Sequence, residues 1–456
     1  MTIRSIRILP PLAIARLGSS PEPLENYDVR VDPTDPLGFR RIDPALTLDV
    51  DRRSGKIRRA FVPRSIRFKD GKGRVKPVAP FLEVWADRDG TLEPLTTAML
   101  EKERIGLSDL QWHVEVANQK ALRRTGDPND RIVATTGWFG DHRPQPLVGT
   151  CRNFVTDATL PFGDVQFIRP TRHFPQIRLR FTPAAGLVYG ATSKPRDTIP
   201  QAIVYNSGRG RWKGYNDDLS VPVSITTNPS DIYANRNNVS RGYLDDECDG
   251  IVEIRIAADE PRRRPELRAF ARIGAGPPDF APDSFPVRTI ADELEQILLG
   301  PVVSPGEVSI DATEEIVRRA FETVRLQNTT VLNGNPLDNG GPANSMASQD
   351  GLGTPIMAPA IVDPLAIRAL HQSIFAALRG RAAAWFGAVL RDYDEVADLD
   401  RGRRKMPAMM RGSDGFHLAL TRRQVDGIRK SGDLAATAVD PDAVNFTQPL
   451  SDDEER

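Results

Sequence analysis

Two cysteines in 456 residues cannot build a disulfide framework, and so few thiols fit a reducing compartment in which both stay free. Histidine is scarce too, at five. His113, His142, His173, His371 and His417 show no H-x-x-x-H pairing, and no C-x-x-C accompanies them, so no metal site is read from spacing. Charge of one sign is also missing: basic and acidic residues balance at 61 each, leaving no global field to draw in nucleic acid or an anionic membrane. Arg262-Arg-Arg264 and the basic run 401–405 carry no interleaved aromatics and read as solvated surface. No stretch approaches the ~18 consecutive apolar residues of a membrane span. The apolar stretch 8–15 holds Pro10 and Pro11 and is followed by Arg16 without a small-residue cleavage pattern. A cytoplasmic protein is expected, although leaderless export leaves no such mark. G-x-S-x-G, P-loop and Rossmann fingerprints are absent, and Gly208-Arg-Gly210 opens no helical pattern, which excludes a phosphate cradle of those kinds.

What is there reads as α+β: a β-rich, sandwich-like body with long loops over residues 1–286, then a mainly helical part over 287–432 and a disordered tail over 433–456. Ile6, Arg7 and Ile8 begin a strand that Pro10 stops. Residues 19–60 are rich in Pro, Asp and Arg with little periodicity and are expected to be irregular. Short β-rich segments follow near 81–85, 111–117, 131–135, 166–168, 176–181 and 202–205. Farther on, Thr289 with Asp292 resembles a capping box, and Ile290, Leu294, Ile297 and Leu298 share one helical face before Gly300. A second amphipathic helix is expected over 313–326 and a third from Asp363-Pro364 to Leu390. A last short one opens at Thr421 and Gln424. Between the second and third lies a long polar stretch, 327–362, with the composition of a mobile spacer, a lid or a tether.

The densest run of specific residue choices lies within 233–286. Asp245, Asp246, Glu247 and Asp249 crowd before Gly250, and Val252, Ile254 and Ile256 then alternate with charged residues as in a half-buried strand. Carboxylates so crowded need backbone N–H groups, basic side chains or a cation as partners. Turn-forming Asx residues supply the plainest explanation. A metal held by Asp245, Glu247 and Asp249 is the sharper one, because these residues open like a calcium loop. The twelfth position, where such a loop needs a bidentate carboxylate, is Ile256. Cys248, set among acids, is the one thiol placed for cofactor chemistry, with Trp112 or Trp212 as a partner brought in by folding. Its acidic neighbours disfavour the thiolate.

Tyr243-Leu-Asp-Asp-Glu-Cys-Asp-Gly250 together with Pro277-Pro-Asp-Phe-Ala-Pro282 resembles the paired signatures of the LodA-like family of L-lysine ε-oxidases and glycine oxidases. Ile6-Arg-Ile-Leu-Pro-Pro-Leu-Ala-Ile-Ala-Arg-Leu-Gly18 resembles that family's opening. Trp112-His-Val-Glu-Val-Ala-Asn-Gln-Lys-Ala121 resembles another of its segments, with weaker echoes at Lys405-Met-Pro407 and Leu420-Thr-Arg-Arg-Gln424. The resemblance implies amino-acid oxidases that make cysteine tryptophylquinone from their own Cys and Trp in a segment after the Gln424 region. Here the cysteines are Cys151 and Cys248 and the last tryptophan is Trp385, so the family's quinone residues carry over to no position. A shortened family member without a self-made cofactor is expected, working as a scaffold or assembly component with a protein partner or as a homo-oligomer. The alternative is an oxidoreductase that deaminates an amino acid or amine, its quinone completed by a partner chain or a modifying flavoprotein.

Overall fold

The computed structural model describes residues 3–31, 40–192, 201–212, 214, 243–262, 264–279, 281–325, 390–391, 395 and 420–437. The chain divides into two compact units, Met1–Val29 with Ile42–Phe280 and Arg30–Arg41 with Ala281–Arg456. The polar stretch 327–362, the helix expected over 363–389, Lys405-Met-Pro407, His371, His417 and everything beyond 437 lie outside the described residues.

Strands are numbered along the chain. In the first unit one sheet runs β1 (Ile3–Leu9), β7 (Phe81–Arg88), β13 (Arg178–Pro183), β12 (Leu160–Ile168), β11 (Gln145–Gly149), with β8 (Thr91–Pro94) on β7. A second runs β10 (Ile132–Thr135), β9 (Leu110–Asn118), β17 (Cys248–Ile256), β18 (Leu267–Gly276), β2 (Leu12–Arg16). Their inner faces share one core. Leu82, Val84, Phe167 and Phe181 come from the first sheet, Trp112, Val114, Val252 and Ile254 from the second, and all are buried. Trp112 and Phe167 meet across the gap with ring centroids 6.1 Å apart. Each such side chain contributes ~1.5–3 kcal/mol by leaving water. The β-rich α+β body expected from the sequence is present.

Local rules explain several elements. Pro10 and Pro11 end β1 because proline offers no N–H to the ladder, and the chain re-enters as β2 after them. The alternation of β17 puts Val252, Ile254 and Ile256 inside, all fully buried. Residues 19–60 depart from expectation. They hold β3 (Tyr27–Arg30), β4 (Arg41–Pro44), β5 (Thr47–Val50) and β6 (Ile57–Phe61), paired β3 with β4 and β5 with β6. Being two-stranded, with every residue but Ile57 half-buried or exposed, they carry no apolar alternation to betray them. A small third sheet, β15 (Ile203–Tyr205), β14 (Val188–Ala191), β16 (Leu244–Asp245), completes the unit with helices α1 (Thr97–Lys102) and α2 (Lys120–Thr125).

The second unit is helical in its described part: α3 (Ile290–Leu299), α4 (Ile310–Arg325) and, numbered next, α5 (Arg422–Thr437). Thr289 and Asp292 form the capping box at α3, the Asp292 N–H donating to Thr289 Oγ1 and the Thr289 N–H to Asp292 Oδ2. Thr421 and Gln424 do the same at α5, at 2.9 and 3.1 Å. With 16 residues α5 is no short helix, and residues 433–437, expected in a disordered tail, form its end. The apolar face of α3 is not buried either: Ile297 is 74% and Leu298 79% exposed. The physical reason is that α3 meets α5 through polar groups, the Arg423 N–H donating to Gln296 Oε1 at 3.0 Å and Arg423 Nε to Glu295 at 3.0 Å. In the same unit Arg40 stacks on Phe285 and pairs with Glu322 at 2.8 Å and Glu315 at 2.7 Å.

Candidate functional site

The acidic turn belongs to the first unit, where β16 hands over to β17. The ladder begins earlier than the sequence indicates. Cys248, Asp249 and Gly250 already pair with Ala275, Gly274 and Ile273 of β18, so only Asp246 and Glu247 form the turn proper. Gly250 sits where β9 passes closest. A Cβ there would lie 2.0 Å from the Glu115 carbonyl oxygen, which no side chain permits.

The carboxylates find their partners 125 to 129 residues upstream, at Asn118 closing β9 and Lys120 opening α2. Asn118 Nδ2 donates to the Asp245 carbonyl at 3.0 Å, to Asp245 Oδ1 at 3.1 Å and to the Glu247 carbonyl at 3.0 Å. Lys120 Nζ donates to both the Asp245 and the Glu247 carboxylates. Burial works to lower the Lys120 pKa, and the two carboxylates outweigh it, leaving the ammonium firmly charged. Asp246 points the other way and is fully buried. Its Oδ2 accepts from the backbone N–H of Gly186 at 3.1 Å and of Leu187 at 2.9 Å, while its Oδ1 has no partner among the described residues. Burial outweighs those two bonds and raises its pKa to about 6. Asp249 is exposed on β17.

Of the residues considered for a metal, Asp245 and Glu247 thus converge on an ammonium and Asp249 stands apart. Among the described residues no group of three or more His, Cys, Asp or Glu side chains is placed to hold a metal ion. Cys248 is 6% exposed, and its thiol is driven up by burial first and by Asp249, Asp246 and Glu247 after it. Trp112 is no neighbour for it. That residue pairs with Ile254, six positions along β17 from Cys248, or ~20 Å at the strand rise.

A polar knot that spacing alone did not reveal lies elsewhere in this unit. Asp130 is fully buried and accepts from Asn153 Nδ2 at 2.7 Å, from the Tyr205 hydroxyl at 2.7 Å and from Thr125 Oγ1. Trp212 packs edge-on against Tyr205 with ring centroids 4.8 Å apart and donates its backbone N–H to the Tyr205 hydroxyl at 3.4 Å. Gly210 is required here, since a Cβ would come 1.8 Å from that hydroxyl oxygen. Gly210 therefore serves tyrosine packing, whereas a Cβ at Gly208 would meet only Asn206 Oδ1, at 3.1 Å. Cys151 lies within electrostatic reach of Asp130, and burial raises its thiol to about 12. The histidines are scattered: His113 faces Glu253 at 3.3 Å, and His142 bonds the Phe167 carbonyl at 3.0 Å with its pKa lowered by burial. Asn118 and Lys120 stand inside the 112–121 segment singled out by its resemblance, but no sequence signal links them to the acids, because that link is a register between distant strands.

No protein-family model matches the chain, and no curated protein matches it. Among solved structures it is similar to the Schiff base intermediate of L-Lys ε-oxidase from Marinomonas mediterranea with L-Lys, at 13% identity and a TM-score of 0.49 over 94% of this chain and 61% of that one. It is also similar to the crystal structure of L-Lys ε-oxidase from the same organism, at 14% identity and a TM-score of 0.45 with the same coverage. The chain spans 61% of the length of these solved structures.

Proposed function

We propose that this chain is a LodA-like protein working as a scaffold or assembly component, binding a protein partner or further copies of itself, without a quinone of its own making. The observation that supports this reading is the occupation of the motif residues. Asp245 and Glu247 are held by Lys120 and Asn118, Asp246 by two backbone N–H groups, and Gly250 by the passage of β9. Such an arrangement joins the ends of β9, β14, β16 and β17 and turns the Asp245 and Glu247 carboxylates to a lysine, with Asp246 fully buried and bonded through one oxygen. The thiols agree with it, since a nucleophile or a crosslinking partner gains from thiolate character and both cysteines are driven away from it.

The test is spectroscopic and catalytic. Purified full-length protein is expected to be colourless in the visible and to release no hydrogen peroxide across a panel of amino acids and amines, including L-lysine. A visible quinone band with peroxide release from any of them would establish the oxidase instead.

A further inference from the structure

The first unit holds a cleft of about 540 Å3 at the end of the first sheet, far in sequence from the acidic turn. Its floor is the β12–β13 pairing of Asp164 with Thr182, and its walls include Pro144, Pro146 and Pro183. Proline walls have little freedom to collapse into the space, so the cleft is pre-formed. Two guanidinium groups line it. Arg52 bonds the Asp164 carboxylate through one terminal nitrogen, and Arg74 bonds Asp70 through Nε at 2.8 Å. Among the described residues the remaining N–H groups of both forks have no partner. A third guanidinium, Arg180, lies behind them within electrostatic reach of Asp164 and Arg52. It is stacked 5.2 Å over Phe81, and its buried Nε has no hydrogen-bond partner among the described residues. Burial pushes its pKa down to about 10, still charged at neutral pH. Asp49, the other carboxylate that Arg180 feels, is paired with Arg59 at 3.4 Å. Three cations thus face two carboxylates, Asp164 and Asp70, and the excess charge is positive.

We propose that this cleft binds a small oxyanion, its carboxylate or phosphoryl oxygens taken by the open N–H groups of Arg52 and Arg74 and its carbon skeleton laid against the prolines. A guanidinium fork matches either group in two parallel hydrogen bonds, and the excess positive charge favours an anion over a neutral or cationic ligand. Arg52 and Arg74 line this one cleft with side chains 60% and 40% open to water at its mouth, and a pair confined in that way, not drawn out along a surface stripe of cations, suits a small ligand rather than a polymer.

Calorimetric titration of the full-length protein at low ionic strength tests the assignment, with inorganic phosphate in one arm and acetate in the other to separate phosphoryl from carboxylate ligands. Saturable one-to-one binding of either anion is expected. Arg74→Gln should weaken it about tenfold or more, the equivalent of one charge-assisted hydrogen bond. Arg52→Gln should do likewise, but it also strips the buried Asp164 of its partner and can cost the fold. Ala185→Trp fills the cleft and leaves every charge in place; it should abolish binding while the melting temperature holds. Failure of both anions to saturate the wild-type protein overturns the proposal, as does binding that persists unchanged in Arg74→Gln and Ala185→Trp.

Discussion

Removing the Lys120 ammonium would leave the Asp245 and Glu247 carboxylates side by side without a counter-charge. Lys120→Met should therefore destabilise the protein by ~1–2 kcal/mol, less than a fully buried pair would cost, because the lysine is part exposed and solvent screens it. Chemical denaturation reads this directly, and the loss should shrink in Lys120→Met combined with Asp245→Asn and Glu247→Gln. At Gly250 the penalty is steric. Gly250→Ala places a methyl on the Glu115 carbonyl and should cost ~3 kcal/mol or more, or prevent folding. Asp246 gives a pH signature. Its folded-state pKa of about 6 lies above the ordinary carboxyl value of the unfolded chain, so the folded state binds the proton more tightly. Its contribution to stability is full below pH ~4 and falls away as pH rises through about 6, by ~3 kcal/mol in all. Asp246→Asn should flatten melting temperature against pH across that window, while an unchanged profile would assign the dependence to other groups.

At the scale of elements, α3 is the informative case. Its cap was legible because Thr289 and Asp292 act locally, and so was the start of α5 at Thr421 and Gln424. Its burial was not legible. A helical stripe of Ile290, Leu294, Ile297 and Leu298 argues for an inward face, yet the helix is held through Glu295 and Gln296 and the stripe stays open to water. The strands show the same division. Alternation at Val252, Ile254 and Ile256 announces β17, whereas the partner of the acids could not be read, since it depends on which strand lies beside β17 and in what register. The strands β3 to β6 escaped because neither face is covered enough to impose a pattern. On the scaffold reading, the open stripe of α3 is available for contact. Ile297→Glu with Leu298→Glu should change stability by less than ~0.5 kcal/mol, as exposed substitutions do, while reducing self-association or partner capture in sedimentation measurements. A large loss of stability would show that the face is covered in the native protein.

For the whole molecule, the two knots of the first unit have the same logic. Asp245 with Lys120 and Asp130 with Tyr205 each tie segments far apart in sequence, and each lies where a loop must be fixed against a sheet. They rigidify the body and keep each cysteine among carboxylates or buried rings, where it is a poor thiolate. Weight decides between an inert body and one that oxidises its own side chains: electrospray mass of the intact purified chain, followed by mapping of the peptides that contain Cys151 and Cys248. The scaffold account predicts the mass of the unaltered sequence, with both thiols open to alkylation after unfolding. A heavier chain carrying added oxygen, with one cysteine joined to a tryptophan and refractory to alkylation, would contradict it.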